Sequence, residues 1–100
     1  MSADEPIAIC VQLWTKPGQE ARLIAYEDAV LALIPKHGGQ VVQRVRSEEP
    51  GEAAFEVHVI TLPSEAALQS YLEDPARLAL TDQRESAIDR TTITRVLIVE

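Results

Sequence analysis

Between Ile7 and Trp14 apolar residues occupy both rows of a two-residue repeat: Ile7, Ile9, Val11 and Leu13 form one row, and Ala8, Cys10, Gln12 and Trp14 the other. The first row is purely aliphatic, so the segment is predicted to be a strand with that row against a core. Lys16-Pro17-Gly18 breaks it. From Gln19 the period lengthens, with Leu23, Tyr26, Val30, Leu33 and Ile34 recurring at helical spacing and Glu20 near the positive N-terminal end, which predicts an amphipathic helix. The helix is expected to stop at His37-Gly38-Gly39, where glycine takes the left-handed conformation without steric cost. Pro35, near its end, is expected either to trim the last turn or to be accommodated at a kink.

Strand character returns over Gln40–Arg46 through Val41, Val42 and Val45, and the polar run Ser47 to Glu52 contains Pro50-Gly51, a dipeptide that favours chain reversal. A third strand is predicted over Ala54–Leu62, in which Phe55, Val57, Val59 and Thr61 alternate with Glu56, His58, Ile60 and Leu62. Ser64 is positioned to cap a helix carrying Ala67, Leu68, Tyr71 and Leu72. Asp74-Pro75 reads as a new cap followed by proline at the first helical position, so the second helix is expected to be broken and to run to about Ala87. A last strand is predicted over Thr91–Val99, β-branched almost throughout.

The elements fall in the order strand, helix, strand, strand, helix, strand, an α+β pattern in a single domain spanning residues 1–100. Two helices cover one face of a four-stranded antiparallel sheet and leave the other bare. Because the strands carry apolar residues on both faces, a second copy of the chain is expected on the uncovered side.

Composition narrows the function classes. Nine Lys and Arg against sixteen Asp and Glu make the formal net charge −7, a field that repels phosphate backbones and anionic membranes. Nucleic-acid and membrane partners are not expected. A lone cysteine, Cys10, makes no internal disulfide and suits a reducing cytoplasm. The start, Met1 to Pro6, lacks the basic and apolar character of a signal peptide, and no stretch reaches membrane-spanning length.

Overlaying Pro17 on Pro63 places one half of the chain on the other as a weak internal duplication. In that register Ile9, Val11 and Leu13 match Phe55, Val57 and Val59, and these rows are expected to face the helices. Cys10, Gln12 and Trp14 then match Glu56, His58 and Ile60 on the opposite face, where a partner sheet or an enclosed cavity is expected. His58 is the candidate general base, since imidazole titrates near neutrality and Glu56 stands two residues away to orient it; the plainer role is a hydrogen-bonded interface histidine. Trp14 is the candidate platform for a flat apolar ligand, although an aromatic of the dimer core is the favoured role because interfaces are enriched in aromatic residues. Gln12 joins them on that face. Tyr71 is a hydrogen-bond donor or a core residue by its helical spacing. Arg44, Arg46 and Arg95 are placed in strands, either to hold a carboxylate by paired hydrogen bonds or to neutralise surface acids. Arg84 has neighbouring acids in Asp82 and Glu85. Two histidines and one cysteine show no metal-ligand spacing, no glycine-rich phosphate loop occurs, and Cys10 in an apolar strand is unsuited to nucleophilic attack.

Three sequence pieces together carry a family likeness: Lys16-Pro17-Gly18, His37-Gly38-Gly39, and Leu62-Pro63-Ser64-Glu65-Ala66-Ala67 leading through Tyr71 and Asp74-Pro75 to Arg84. Over nearly its whole length the chain resembles the dimeric α+β barrel proteins. The last two pieces look like an uncharacterised family of that superfamily, and the first and last like the antibiotic-biosynthesis monooxygenases. The resemblance implies a ferredoxin-like β-α-β-β-α-β subunit forming a homodimer through its sheet face. The candidate ligand site beside His58 thus comprises Gln12, Trp14, Glu56 and Tyr71, read from the chain itself, and Arg84, the charged residue best matched in the family comparison. Haem-degrading relatives use an Asn on the first strand, a Trp before the second helix and a His on that helix; here stand Gln12 and Leu62, and no histidine follows His58. No cofactor is therefore expected. Two functions follow: a module that binds a small apolar or aromatic molecule or a protein partner, or a cofactor-independent monooxygenase, isomerase or cyclase acting on a phenolic or polyketide-like substrate.

Overall fold

A computed structural model describes residues 5–49 and 51–99. Strand β1 (Ile7–Thr15) leads to helix α1 (Glu20–Leu31), a 3-10 turn (Ile34–His37) and strand β2 (Gln40–Arg46); strand β3 (Glu56–Leu62) leads to helices α2 (Glu65–Leu72), α3 (Pro75–Leu78) and α4 (Thr81–Ala87), and strand β4 (Ile88–Arg95) closes the chain. The sheet runs β2-β3-β1-β4, with all three pairs antiparallel.

Local chemistry accounts for the boundaries. Gly18 takes φ 77° before α1, and its N–H donates to Glu20 Oε1 at 3.1 Å. Pro35 has no N–H to continue the α-helical ladder, so α1 stops at Leu31 and the chain tightens into the 3-10 turn, which Gly38 ends at φ 78°. Next to it Gly39 lies so close to β3 that an added Cβ would meet Thr61 O at 2.6 Å and Leu62 Cδ2 at 2.7 Å. Ser64 Oγ accepts from the Ala67 N–H at 3.0 Å, as its sequence position predicts. Asp74 ends α2 and starts α3 by accepting from the Ala76 N–H at 2.9 Å. Its other oxygen holds His37 at 2.7 Å and Lys36 at 3.0 Å, tying the helix break to the end of the 3-10 turn. Those donors, His37 first, then the Ala76 amide and Lys36, hold the Asp74 carboxyl down at about 2.

The predicted elements are present, with two shifts of boundary. β3 begins at Glu56 rather than Ala54, although Phe55 still donates to Leu13 O at 2.8 Å. β4 covers Ile88–Arg95 rather than Thr91–Val99; beyond it the Val96 N–H still reaches Ala8 O at 3.1 Å, while Leu97 and Val99 are about 90% exposed. Pro50, in the predicted turn, lies outside the described residues. In β2 the pairing slips by one between Val41 and Gln43, so that Val41 opposes Ile60 whereas Arg44 opposes His58; Val42 is the extra residue of a bulge.

Ile9, Val11 and Leu13 are buried against the helices, together with Leu23, Val30, Ile34, Leu68 and Ala87, as the alternation predicts for β1. For β3 the predicted faces are exchanged. Across the central pair Val11 opposes His58, Leu13 opposes Glu56 and Ile9 opposes Ile60. Opposed residues share a face, so Glu56, His58, Ile60 and Leu62 point toward the helices, and all four are buried. The cause is where each proline stands: Pro17 lies two residues beyond the end of β1, whereas Pro63 lies only one beyond the end of β3. Matching Pro17 to Pro63 therefore sets the strands one residue out of step, and a one-residue offset moves every side chain to the other face.

Candidate functional site

The exchange of faces divides the expected ligand site. Gln12 and Trp14 lie on the sheet face away from the helices, Gln12 opposite Val57 and Thr92. Trp14 donates its indole N–H to Glu52 O at 2.9 Å, and the Arg90 guanidinium stacks 3.8 Å above its ring. Glu56 and His58 lie on the opposite side of the sheet, inside the subunit. The expected grouping of Gln12, Trp14 and His58 around one cavity is thus corrected: the sheet itself separates the first two from the third.

On the inner side His58, Tyr71 and Arg84 do come together, lining a cavity of about 70 Å³ between the sheet and the helices. Its walls are largely apolar, with Val11 and Leu13 from β1, Ile60 from β3 and Leu68 from α2. Three further polar residues share it: Glu27 from α1, Arg77 from α3 and Thr91 from β4. Half-exposed Ile93 also lines it, so the cavity reaches toward the β4 edge.

Glu56 stands behind His58 as its anchor. The carboxylate is fully buried and receives hydrogen bonds from Arg44 Nε at 3.0 Å and Arg46 Nε at 2.7 Å. His58 Nε2 lies 2.5 Å from Glu56 Oε2. Burial would push this carboxyl up, but the bonds from His58, Arg46 and Arg44 outweigh it and hold Glu56 at about 2, so it stays ionised and fixes the imidazole plane. Arg44 also reaches Asp28 at 2.7 Å. All three strand arginines pair with acids, Arg95 with the exposed Glu65, but Arg46, and Arg44 in part, pair with the buried Glu56 rather than with the surface acids expected from the sequence.

Glu27 behaves oppositely. It is 6% exposed, and burial pushes its carboxyl up to about 7, partly opposed by His58. Burial likewise pushes the Tyr71 hydroxyl up to about 12, with Arg77 opposing. Arg77 sits 5.2 Å from the centre of the Tyr71 ring, and Arg84 donates to Thr91 Oγ1 at 3.1 Å. The cavity thus joins an anchored histidine, a carboxyl that titrates near neutrality and two guanidinium groups on an otherwise apolar wall. It can hold a small molecule and offer it hydrogen bonds or a proton.

Glu27 and Arg77 are absent from the sequence-derived set. Glu27 did carry a signal: Leu23, Tyr26, Glu27 and Val30 fall on one helical stripe, so a carboxylate stands where the pattern calls for an apolar residue. Arg77, following the Asp74-Pro75 break, had none. Among the described residues no cluster of three or more candidate ligands for a metal ion occurs.

No family model matches this sequence, and no curated protein matches it. Solved structures do. A protein of unknown function from Rhodopseudomonas palustris is 18% identical, with 97% of this chain and 85% of that one covered and a TM-score of 0.76. A proposed antibiotic biosynthesis monooxygenase from Caulobacter crescentus is 17% identical, with 98% and 93% covered and a TM-score of 0.78. A protein from Bacteroides fragilis, described as dimeric, of unknown function and ferredoxin-like in fold, is 11% identical, with 93% and 96% covered and a TM-score of 0.72. At these identities the likeness is one of architecture, and the chain accordingly has the ferredoxin-like fold that these proteins share.

Proposed function

We propose that this protein is a cytoplasmic homodimer, one domain per chain, whose subunits each bind a small molecule in the cavity between the sheet and the helices. The observation that carries the reading is the gathering of Glu27, His58, Tyr71, Arg77 and Arg84 around a space otherwise walled by aliphatic side chains. Folding does not spend buried polar groups without partners, and a concave apolar site with a few convergent polar groups is the usual form of a ligand pocket. NMR of methyl-labelled protein tests it: small neutral organic molecules such as acetamide, and short organic acids, are titrated while the Val11, Leu13, Ile60 and Leu68 methyls are observed. Saturable shifts confined to these methyls support the reading. Shifts spread over the surface, or none with any probe, refute it.

The dimer rests on the sheet face that no helix covers, where Val45 is 44% exposed, and on the dimeric description of the Bacteroides fragilis protein of the same fold. Light scattering should return twice the chain mass, and Val59→Arg, at the centre of that face, should return the chain mass alone. A wild-type monomer at micromolar concentration overturns it.

A second reading, acid–base catalysis on a phenolic or polyketide-like substrate, is favoured by one observation, the anchoring of His58 by Glu56 at the cavity wall. Size argues against that substrate class, since 70 Å³ is well below the roughly 300–1,000 Å³ of pockets that hold drug-sized ligands. A compound of three fused rings that shifts the cavity methyls and turns over only with His58 intact would establish the second reading; no turnover by wild type removes it.

A further inference from the structure

Two arginines of the cavity have no anionic partner. Among the described residues Arg44, Arg46 and Arg95 each pair with a carboxylate, whereas Arg77 and Arg84 pair with none. Arg84 spends one N–H on the neutral Thr91 hydroxyl. Arg77 makes a 3.4 Å contact to Leu72 O, and its Nε is buried without a hydrogen-bond partner. A buried N–H of a charged group left unsatisfied is costly, and both arginines line the same space.

The charge balance around that space points the same way. Glu56 is neutralised on its own side by Arg44 and Arg46, leaving Glu27 as the one carboxyl that lines the cavity with Arg77 and Arg84. Even a fully ionised Glu27 leaves one positive charge over, and burial favours its neutral form. Val11, Leu13 and Leu68 give the same space aliphatic wall.

We propose, building on the ligand-cavity reading above, that the ligand is a short monocarboxylate whose carboxylate lies between Arg77 and Arg84 and whose hydrocarbon part lies against Val11, Leu13 and Leu68. Its size follows from the cavity. A volume of 70 Å³ is about half the ~150 Å³ that admits the six carbons of benzene, which suits an acid of about two carbons. Guanidinium is suited to this role because it presents parallel N–H donors that match a carboxylate, and such charge-assisted bonds are roughly twice as strong as neutral ones.

Acetate and its neutral isostere acetamide, titrated by NMR, test the inference. Acetate should bind at least about tenfold more tightly, equivalent to about 1.4 kcal/mol, and the preference should vanish in Arg84→Gln and Arg77→Gln. In wild-type protein, where no variant has to fold, the Arg77 Nε–Hε resonance should move with acetate and stay in place with acetamide. Equal binding of acid and amide at the cavity methyls overturns the carboxylate inference while leaving the ligand cavity standing. A preference for acid that survives both substitutions, or an Arg77 Nε–Hε signal indifferent to acetate, overturns the role of these arginines. Failure of both probes to reach the cavity overturns both proposals together.

Discussion

Glu56 Oε2 and His58 Nε2 lie 2.5 Å apart although only one residue separates them in sequence, because alternate residues of β3 share the face that looks onto the helices. The carboxylate of this pair is fully buried, while Arg46, one of its two arginine partners, is 42% exposed at the side chain. Removing the buried member strands charges that the partly wet member would not. Glu56→Gln is expected to cost about 3 kcal/mol and Arg46→Ala about 1 kcal/mol, read from urea unfolding midpoints at constant m-value. Equal costs would show that the cluster is not organised around Glu56.

Glu27 should make stability depend on pH in an uncommon direction for a carboxyl. The unfolded chain ionises it near 4.5 and the folded one at about 7, so between those values the native state keeps a proton that the unfolded state has lost. Stability therefore falls as pH rises through this window and is level above it, with a drop of about 3 kcal/mol. Glu27→Gln should flatten the fall. Glu56 acts in the opposite sense: its folded value of about 2 means that its contribution is present above about 4.5 and is lost as the medium is acidified toward 2. Unfolding free energies of wild type and Glu27→Gln at pH 5 and pH 8 separate the two effects.

Gly39 should tolerate no side chain. It does not have positive φ, so the objection to alanine is contact: Thr61 O, Leu62 Cδ2 and Ile34 Cγ2 all lie within 2.9 Å of an added Cβ. Gly39→Ala should cost about 2–3 kcal/mol, in the range of overpacking. Gly51→Ala, where nothing lies within 4 Å, serves as the near-neutral control. Thermal unfolding of the two variants measures the difference.

Trp14 reports on the outer face. With Arg90 stacked on its ring and Val57 and Val59 on the same side of the sheet, its emission should shift to the red when the proposed dimer is diluted below its dissociation constant. In Val59→Arg the red-shifted spectrum should be present at every concentration. A wild-type spectrum unchanged by dilution over the range in which light scattering reports dissociation would place Trp14 away from the interface.

Most of the fold was legible because its signals are local. Two-residue alternation in β1, the Ser64 and Asp74 caps, the Pro35 trim and the glycine stop at Gly38 each act within a few residues. The candidate site was less legible because it depends on which row of β3 faces inward, and that row is ambiguous. Phe55, Val57 and Val59 are the more apolar set and suit a core, yet the buried row contains Glu56 and His58. A carboxylate and a histidine can take interior positions only because two arginines from the neighbouring strand neutralise one and that one anchors the other. Such compensation lies between strands and leaves no trace in the periodicity of either. The pairing also explains why Tyr71 and Arg84, on helices, lie on the same side of the sheet as His58 while Gln12 and Trp14 lie on the other.

The bulge at Val42 gives a half-exposed residue an importance that its own contacts do not suggest. Were it drawn into the ladder opposite Val59, the pairing found at Val41 and Ile60 would continue unbroken, bringing Arg44 opposite Val57 and turning both Arg44 and Arg46 to the outer face. Two positive charges would then stand on the proposed dimer surface, and Glu56 would be buried with only a histidine for company. Removing Val42 has no such effect, since Gln43 would follow Val41 directly and keep Val59 as its partner: it is the looping-out of one residue, whatever its identity, that keeps the arginine charges on the inner side of the sheet and leaves both subunit interior and subunit interface viable.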